Sequence, residues 1–270
     1  MLILKPPFDQ DWKDKDPFAE IAKITGDIYR SVDTRQTVRF SFEGKNYFVK
    51  RHAGTTVKEV FKNFYHLKRP VLGADQEWNA IHHLKKHGVD TMNGVAFGQK
   101  GSNPVKRTSF IITEDLSPVV PLSDYCSRWK TNPPAFKTKQ LILERVAEMT
   151  RNMHQSGLNH RDCYLCHFLL HLPFDERKES LKISIIDLHR AQIRHSVPKR
   201  WRNKDLIALY FSSLNIGLTQ RDIYRFLKLY FQLPLRKILA KETFLLSFAK
   251  RRALQIKRHT EKRIKNNLER

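Results

Sequence analysis

The chain has 270 residues, of which 40% are hydrophobic, a share that excludes a disordered protein and suffices for one large domain or two lobes with buried cores. Fifty Lys and Arg residues against 27 acidic residues give a formal net charge of +23. A field of one sign concentrates anionic partners, so nucleic acid, an anionic membrane face, a phosphorylated substrate and an acidic protein are all candidates.

The sequence carries few signals of export or membrane insertion. An odd count of three cysteines disfavours a secreted disulfide framework and favours a reducing cytoplasm. The segment Met1–Phe8 has only a brief apolar stretch before Lys5, so it lacks the apolar core of a signal peptide. The longest uncharged stretch, residues 206–220, falls short of the roughly 20 apolar residues that a spanning helix needs. We therefore predict no transmembrane segment.

The first half of the chain predicts strands with one helix. Residues 37–42 and 47–50 are β-prone and flank the turn at 43–46, which is typical of a hairpin. Residues 77–84 have helical apolar spacing, and Gly88 stands where that helix would end.

Two further strand-like runs, at residues 95–97 and 109–113, precede the turn residues at 114–118. We expect a first lobe to end there.

The second half predicts helices around one polar segment. Apolar residues recur at helical spacing over 138–156, and Gly157 is the expected stop. The polar segment His160–His167 follows, and the predicted strand 181–186 ends at Asp187. The remaining sequence is predicted to be almost entirely helical.

Four charged residues occur in an order that suits phosphoryl transfer. This chemistry requires metal ligands, a cation on the nucleotide phosphates and a carboxylate beside the attacking hydroxyl. Lys50 ends a predicted strand and Glu77 lies on the next helix, whereas Asp162 follows a long helix and Asp187 closes a strand. Each alone is as well explained by a surface charge or a cap, but their joint order is that of protein kinases.

The motifs around these residues resemble one family. The whole chain is similar to the lipopolysaccharide core heptose(I) kinases, a bacterial family related to protein kinases and aminoglycoside phosphotransferases. The segments that carry the resemblance are residues 69–75, 77–79, 90–92, 108–116, 159–163, 186–190 and 206–222.

The resemblance implies an α+β, bilobal protein-kinase-like fold. Residues 1–115 would form a small, mainly antiparallel β N-lobe that binds nucleotide and holds one key helix. Residues 116–235 would form a larger helical, catalytic C-lobe, and residues 236–270 a basic helical segment packed on it or extending it.

The resemblance also implies the reaction. The O-4 hydroxyl of the first inner-core heptose would attack the γ-phosphate of ATP, with Mg²⁺ bound. Asp162 would be the catalytic base, and Asp187 would bind the metal in the place of the kinase Asp-Phe-Gly aspartate.

The nucleotide-binding residues implied by the resemblance lie in the first lobe. Lys50 would hold the α- and β-phosphates, and Glu77 would orient Lys50. Glu114 and Leu116 would lie in the hinge that binds adenine.

The chain departs from the kinase pattern at several positions. His167 stands where kinases have the Asn that is the second metal ligand, so His167 is a tentative ligand, and Leu188-His189 replace Phe-Gly. The turn at 33–36, before Lys50, has no glycine. Asp205 either braces the catalytic loop, as the corresponding kinase carboxylate does, or is a carboxylate near the N-terminus of a helix, where the helix dipole favours negative charge.

The run from Cys163 to His167 allows other interpretations. It matches the attachment pattern of c-type haem, but haem attachment is disfavoured because no signal peptide is predicted. Its thiols and nearby histidines could also bind zinc, although a second pair of ligands is absent.

Basic segments indicate further partners. The tail 236–270 interleaves basic pairs with apolar residues, as a basic amphipathic helix does, and would pack on the second lobe or dock on anionic lipid or a phosphorylated glycolipid. A second cluster comprises Lys58, Lys62, Lys68 and Arg69 with three aromatics. It would either bind the acidic inner-core sugars or an acidic protein such as acyl carrier protein, or form a solvated helix face. We expect a cytoplasmic, peripheral protein at the inner face of the bacterial inner membrane.

The rival of another class is a basic nucleic-acid-binding protein, since +23 also suits a phosphate backbone. No nucleic-acid motif occurs, so we expect no nucleic acid as a partner. Within the kinase-like class, another acceptor or an inactive pseudokinase stays open.

Overall fold

The structure is a computed structural model that describes residues 1–32, 35–54, 73–103, 106–174 and 181–268. The chain divides into two compact units. The first contains Met1–His83, Thr91–Leu116 and Leu188–Arg190, and the second contains Leu84–Asp90, Ser117–Asp187 and Ala191–Arg270. The basic cluster between Lys58 and Arg69, and half of the turn at 33–36, lie outside the described residues.

The described part of the first unit forms a six-stranded antiparallel sheet with strand order β1-β5-β6-β4-β3-β2. Its strands are β1 (Leu2–Leu4), β2 (Asp27–Val32), β3 (Arg35–Phe42), β4 (Lys45–Ala53), β5 (Gly94–Lys100) and β6 (Thr108–Glu114). Its helices are α1 (Phe8–Asp11), α2 (Pro17–Lys23) and α3 (Asp75–Lys86), the last of which continues into the second unit.

The predicted hairpin is present as β3 and β4. Phe42 pairs with Lys45 across a turn in which Glu43 and Gly44 both have positive φ, 47° and 73°, as tight hairpin turns require. Alternate residues of both strands face a core in which Val49 is fully buried.

The N-terminal residues complete this core. Phe8 is fully buried, and its ring lies 4.9 Å from that of Trp12 and 5.1 Å from that of Tyr47. Aromatic pairs at such distances add to the hydrophobic stabilisation of a core. The first helices therefore close one face of the sheet.

The predicted helix is α3, and its apolar stripe is buried as expected. Ile81 and Leu84 are fully buried, whereas Trp78 is 5% exposed and stacks on Phe97 at 5.5 Å. The helix gives way to a turn at Gly88, whose φ of +69° suits a residue without a side chain.

The second unit is mainly helical. Its helices are α4 (Leu122–Tyr125), α5 (Phe136–Gln155), α6 (Lys199–Ser212), α7 (Gln220–Phe231), α8 (Leu235–Lys241) and α9 (Thr243–Leu268). Its strands are β7 (Val119–Pro121), β8 (Leu158–Asn159), β9 (Phe168–His171), β10 (Ile183–Ile185) and β11 (Gln192–Ile193). Strands β10, β9 and β7 form one small antiparallel sheet, and β11 pairs with β8.

Gly157 is required where α5 turns into β8. Its φ is +88°, and a Cβ there would lie 2.0 Å from the carbonyl oxygen of Arg194. The missing side chain lets the backbone of Arg194 come close enough to donate a hydrogen bond of 2.9 Å to the Gly157 carbonyl. This contact anchors β11 beside β8, immediately before His160.

The C-terminal segment is two helices, α8 and α9, separated at Glu242, rather than one continuous helix. Leu245, Phe248 and Ile256 of α9 pack against a core cluster that includes Leu206 and Tyr230. The first half of α9 thus packs against other helices of the second unit, to which it belongs.

None of the helices in the described ranges contains a stretch long and apolar enough to cross a bilayer.

Candidate active site

Lys50 and Glu77 form a buried ion pair in the first unit. Lys50 lies on β4 between Thr37 of β3 and Ile111 of β6, so the sheet fixes its position. Its Nζ is 2.6 Å from Oε1 of Glu77, and the two side chains are 22% and 1% exposed. A carboxylate buried to this degree requires a cation or strong hydrogen bonds, and the lysine supplies that charge.

The segment with Glu114 and Leu116 is held at the end of β6. The Glu114 amide donates to the Asn93 carbonyl at 2.9 Å, and the Asp115 amide donates to the Asn46 carbonyl at 2.9 Å. Leu116 is half-buried. The path of the chain where it leaves the sheet is therefore fixed, because the amides of two consecutive residues are bound to two different segments of the first unit.

In the second unit, the Asp162 segment and the Asp187 segment are joined directly. The ring of His160 donates from Nε2 to the carbonyl oxygen of Ile186 at 2.9 Å, and the Ile186 amide donates to the carbonyl of His167 at 2.9 Å. His160 is fully buried, and this burial lowers its pKa, so the ring is neutral. These bonds bring Asp162 and Asp187 to one place.

His167 lies between the two carboxylate residues. Its Nδ1 donates to the Asp162 carbonyl at 2.7 Å, and its Nε2 is 3.5 Å from Oδ2 of Asp187. Burial acts to lower the pKa of His167, but interactions with Cys166, the Asp162 carbonyl and Asp187 raise it overall. Asp162 and Asp187 are both half-buried.

Asp205 of α6 binds the backbone that directly precedes Asp162. Its Oδ2 accepts from the His160 amide at 2.7 Å, and its Oδ1 accepts from the Arg161 amide at 2.8 Å. His154 lies 3.2 Å from the same carboxylate and is bonded at 2.7 Å to the Tyr230 hydroxyl. Since α6 begins at residue 199, Asp205 is beyond its first turn, so the helix-dipole interpretation is not supported. Its contacts with the two amides agree with the bracing interpretation.

Replacing Asp205 by asparagine is expected to lower both stability and phosphoryl transfer. Asparagine keeps the shape but has only one acceptor oxygen, so one of the two amides would face an NH₂ group. Hydrogen bonds to charged groups are typically worth about 1.5–3 kcal/mol, which sets the expected loss in the free energy of unfolding. Urea unfolding measures it.

The matched control is Glu148→Gln, which removes a charge from the ion pair with Arg145 at 2.7 Å, where the Glu148 side chain is 45% exposed. Such exposed pairs contribute about 0–1 kcal/mol. An equal, small loss of unfolding free energy in both variants would contradict the bracing role of Asp205.

The sequence matches a family model over residues 19–230, that of the lipopolysaccharide kinase (Kdo/WaaP) family. The chain belongs to this family. ATP is the phosphoryl donor that membership of a kinase family implies.

Curated members of the lipopolysaccharide kinase family are similar over nearly the full chain. The lipopolysaccharide core heptose(I) kinase WaaP of Escherichia coli is 60% identical over 96% of this chain and 98% of its own length. The WaaP of Pseudomonas aeruginosa strain PAO1 is 49% identical over 93% and 94%. A solved structure of WaaP in complex with acyl carrier protein has a TM-score of 0.84 and 46% identity, covering 94% of this chain and 98% of that one. The predicted family, kinase class and α+β kinase-like fold are confirmed.

Sequence reasoning did not identify the roles of His154 and His160. His154 contacts Asp205 and His160 contacts Ile186. Both partners are distant in sequence, so the local sequence pattern does not predict them. The only available signal was that His160 directly precedes Arg161-Asp162.

The zinc interpretation of the segment from Cys163 finds no support in the described residues. Among them, no group of three or more His, Cys, Asp or Glu side chains is placed to hold a metal ion. Cys163 is fully buried, which raises the pKa of its thiol well above the usual value, whereas Cys166 is exposed. The two thiols therefore lie in unlike surroundings.

The second unit of this lipopolysaccharide kinase also contains an apolar cavity of about 310 Å³. Helices α5, α6, α7 and α9 contribute to its wall. The lining includes Trp129, Ile142, Leu206, Phe226 and Leu246. Its volume lies at the lower end of the range for small-molecule pockets.

Proposed function

We propose that this kinase transfers the γ-phosphate of ATP to O-4 of the first heptose of the lipopolysaccharide inner core. The observation that carries the proposal is the 60% identity over 96% of the chain to a heptose(I) kinase. The joined Asp162 and Asp187 segments supply the chemistry that such a transfer needs.

Asp162 is the proposed general base. The heptose hydroxyl oxygen bonds to the γ-phosphorus as the bond from that phosphorus to the bridging oxygen breaks, and ADP leaves with the bonding electrons. The hydroxyl proton passes to the Asp162 carboxylate. The hydrogen bond that His167 donates to the Asp162 carbonyl, and the two bonds that Asp205 accepts from the preceding amides, support this residue in place.

Asp187 is the proposed ligand for Mg²⁺, which when bound neutralises charge on the phosphate oxygens. Mg²⁺ is commonly held by one or two carboxylates together with substrate phosphates and water, and one half-buried carboxylate fits that set. An imidazole suits this hard cation less well. We therefore assign His167, 3.5 Å from Asp187, to orienting that carboxylate rather than to ligating the metal.

Lys50 is the proposed cation for the α- and β-phosphates, and Glu77 orients it through the 2.6 Å contact. Glu114 and Leu116 are proposed to contact adenine, which the defined path of the chain after β6 supports.

The variant Lys50→Ala is expected to lower kcat/KM for ATP by about 10²–10³-fold, the range for removing one preorganised phosphate- or oxyanion-binding group. Steady-state kinetics with varied ATP measure this. Lys45→Ala is the matched control, because Lys45 begins the same strand and is exposed. Equal kinetics in the two variants would remove Lys50 from the nucleotide site.

The proposed reaction is tested with purified protein, ATP, Mg²⁺ and core lipopolysaccharide that lacks the heptose phosphate. Mass spectrometry and NMR of the glycolipid would report one added phosphate and its position. Phosphate at another hydroxyl would contradict the O-4 assignment. If the protein binds ATP but no phosphate is found on the glycolipid, the protein acts on another acceptor or is a pseudokinase. If it does not bind ATP but binds arbitrary DNA in a salt-sensitive way, the nucleic-acid alternative is favoured.

We also propose that the chain binds acyl carrier protein and works as a peripheral protein at the inner face of the inner membrane. The solved structure of WaaP in complex with acyl carrier protein supports the first part, as does the net charge of +23 against an acidic partner. The cavity of about 310 Å³ offers an apolar chamber for the acyl chain.

Calorimetry with acylated and unacylated carrier protein tests this second proposal. Tighter binding of the acylated form is expected, and Ile142→Asp in the cavity wall should abolish the difference. Equal affinity for both forms would exclude the cavity. Flotation with anionic vesicles tests the peripheral location.

A further inference from the structure

We infer that His154 is a positioning residue for phosphoryl transfer, which takes its orientation from Tyr230 and fixes the Asp205 carboxylate against the backbone before Asp162. The inference rests on the proposed function, because it assigns the chemistry to Asp162.

Three helices of the second unit meet at the His154 ring. His154 lies in the last turn of α5, Tyr230 lies near the end of α7, and Asp205 lies on α6. Nδ1 of His154 is 2.7 Å from the Tyr230 hydroxyl oxygen, and Nε2 is 3.2 Å from Oδ2 of Asp205. The three residues are 7%, 6% and 0% exposed, so the ring joins two partners inside the protein.

The chemistry of the groups sets the direction of these hydrogen bonds. An ionised carboxylate only accepts, so Nε2 of His154 carries the proton and donates to Asp205. In an imidazole with its proton on Nε2, the other nitrogen is an acceptor, which the Tyr230 hydroxyl satisfies. Burial raises the pKa of Tyr230, so this hydroxyl keeps its proton and can donate. Both bonds therefore point from α7 through α5 to the carboxylate on α6.

Packing alone does not account for this arrangement. Burying polar groups costs free energy unless hydrogen bonds replace the lost water, and apolar side chains of similar volume would avoid that cost. The imidazole adds direction. Oδ2 of Asp205 accepts from both the His154 ring and the His160 amide, while Oδ1 accepts from the Arg161 amide. Rotation of the carboxylate would break the bond to His154, so the ring fixes which oxygen faces which amide.

The variant Tyr230→Phe tests the outer bond, because it removes one hydroxyl and keeps the ring that stacks on Phe226 at 6.2 Å. We expect kcat to fall by about three- to ten-fold, the upper range for one neutral hydrogen bond, while KM for ATP stays unchanged. Tyr224→Phe is the matched control, since it makes the same deletion at a half-buried position of α7. The control should behave as wild type.

Two substitutions of His154 separate hydrogen bonding from packing. Leucine cannot donate, so His154→Leu should lower kcat by about ten- to hundred-fold, the factor for a hydrogen bond to a charged group. Glutamine can donate from its amide, so His154→Gln should recover part of that loss. A packing role predicts the reverse order, because glutamine buries an additional polar group. If His154→Leu does not fold, Tyr230→Phe and its control decide alone.

The double variant His154→Leu/Asp205→Asn tests whether His154 acts through Asp205. Its kcat should be about that of the slower single variant, because both substitutions disturb one carboxylate. Losses that multiply, an unchanged kcat in Tyr230→Phe, or a His154→Leu variant more active than His154→Gln would each overturn the inference.

Nitrogen-15 NMR of the histidine rings needs no acceptor, so it separates the inference from the proposed function. The inference requires a proton on Nε2 of His154, and a ring without that proton overturns it. A wild-type protein that shows the proton but transfers no phosphate to core lipopolysaccharide would contradict only the proposed function.

Discussion

The variant Asp187→Asn should reduce phosphoryl transfer by about 10³-fold or more, the largest effect that we expect from a single substitution. A metal ion contributes several kcal/mol of transition-state charge stabilisation, and each 1.36 kcal/mol is a factor of ten in rate. Asparagine keeps the size of the side chain but loses the negative charge that attracts the cation. Transfer from radiolabelled ATP over a range of Mg²⁺ concentrations measures the effect.

The control for Asp187 is Asp124→Asn, which removes an exposed carboxylate of the same unit. A variant Asp187→Asn that keeps normal activity with the same Mg²⁺ dependence would show that another residue holds the metal. Circular dichroism and thermal unfolding check that both variants are folded.

The variant Asp162→Ala should lower kcat by about 10²–10⁴-fold while binding of ATP is retained, because that is the range for losing one positioned acid–base group. The half-buried side chain contributes little to the core, so the fold is expected to survive. Rapid-quench measurement of a single turnover isolates the chemical step from product release.

Asp162→Asn provides the second half of that test, since it keeps the shape and one acceptor oxygen but cannot act as a general base. Similar losses in the alanine and asparagine variants would agree with a base. If asparagine restored turnover to the wild-type rate, Asp162 would be a positioning residue only.

The elements predicted from the sequence are those with a strong local period. The hairpin β3–β4, helix α3 and helix α5 all repeat apolar residues at their own spacing, and the structure contains each of them. Strand β1 was not predicted, because three residues are too few to show a period and become a strand only by pairing with β5. Helix α1 has four residues, and its identity depends on the burial of Phe8.

The candidate site was predicted only in part, from motifs and the family resemblance rather than from local periodicity. The family resemblance implied that Glu77 orients Lys50, and their 2.6 Å contact agrees with that pairing. The contact between His154 and Asp205 was not predicted, because only the tertiary fold brings these two residues together. Charges on distant segments leave no periodic trace in a sequence.

The position of Asp205 has a consequence for how the protein folds. The carboxylate that accepts from the His160 amide lies 45 residues further along the chain, so the loop that contains Asp162 is held by a long-range contact. Such contacts form late because the entropy of closing the intervening loop must first be overcome. During synthesis, the complete Asp162 motif is therefore made before the residue that supports it. A shortened chain ending before α6 would contain this motif without the carboxylate that holds its backbone.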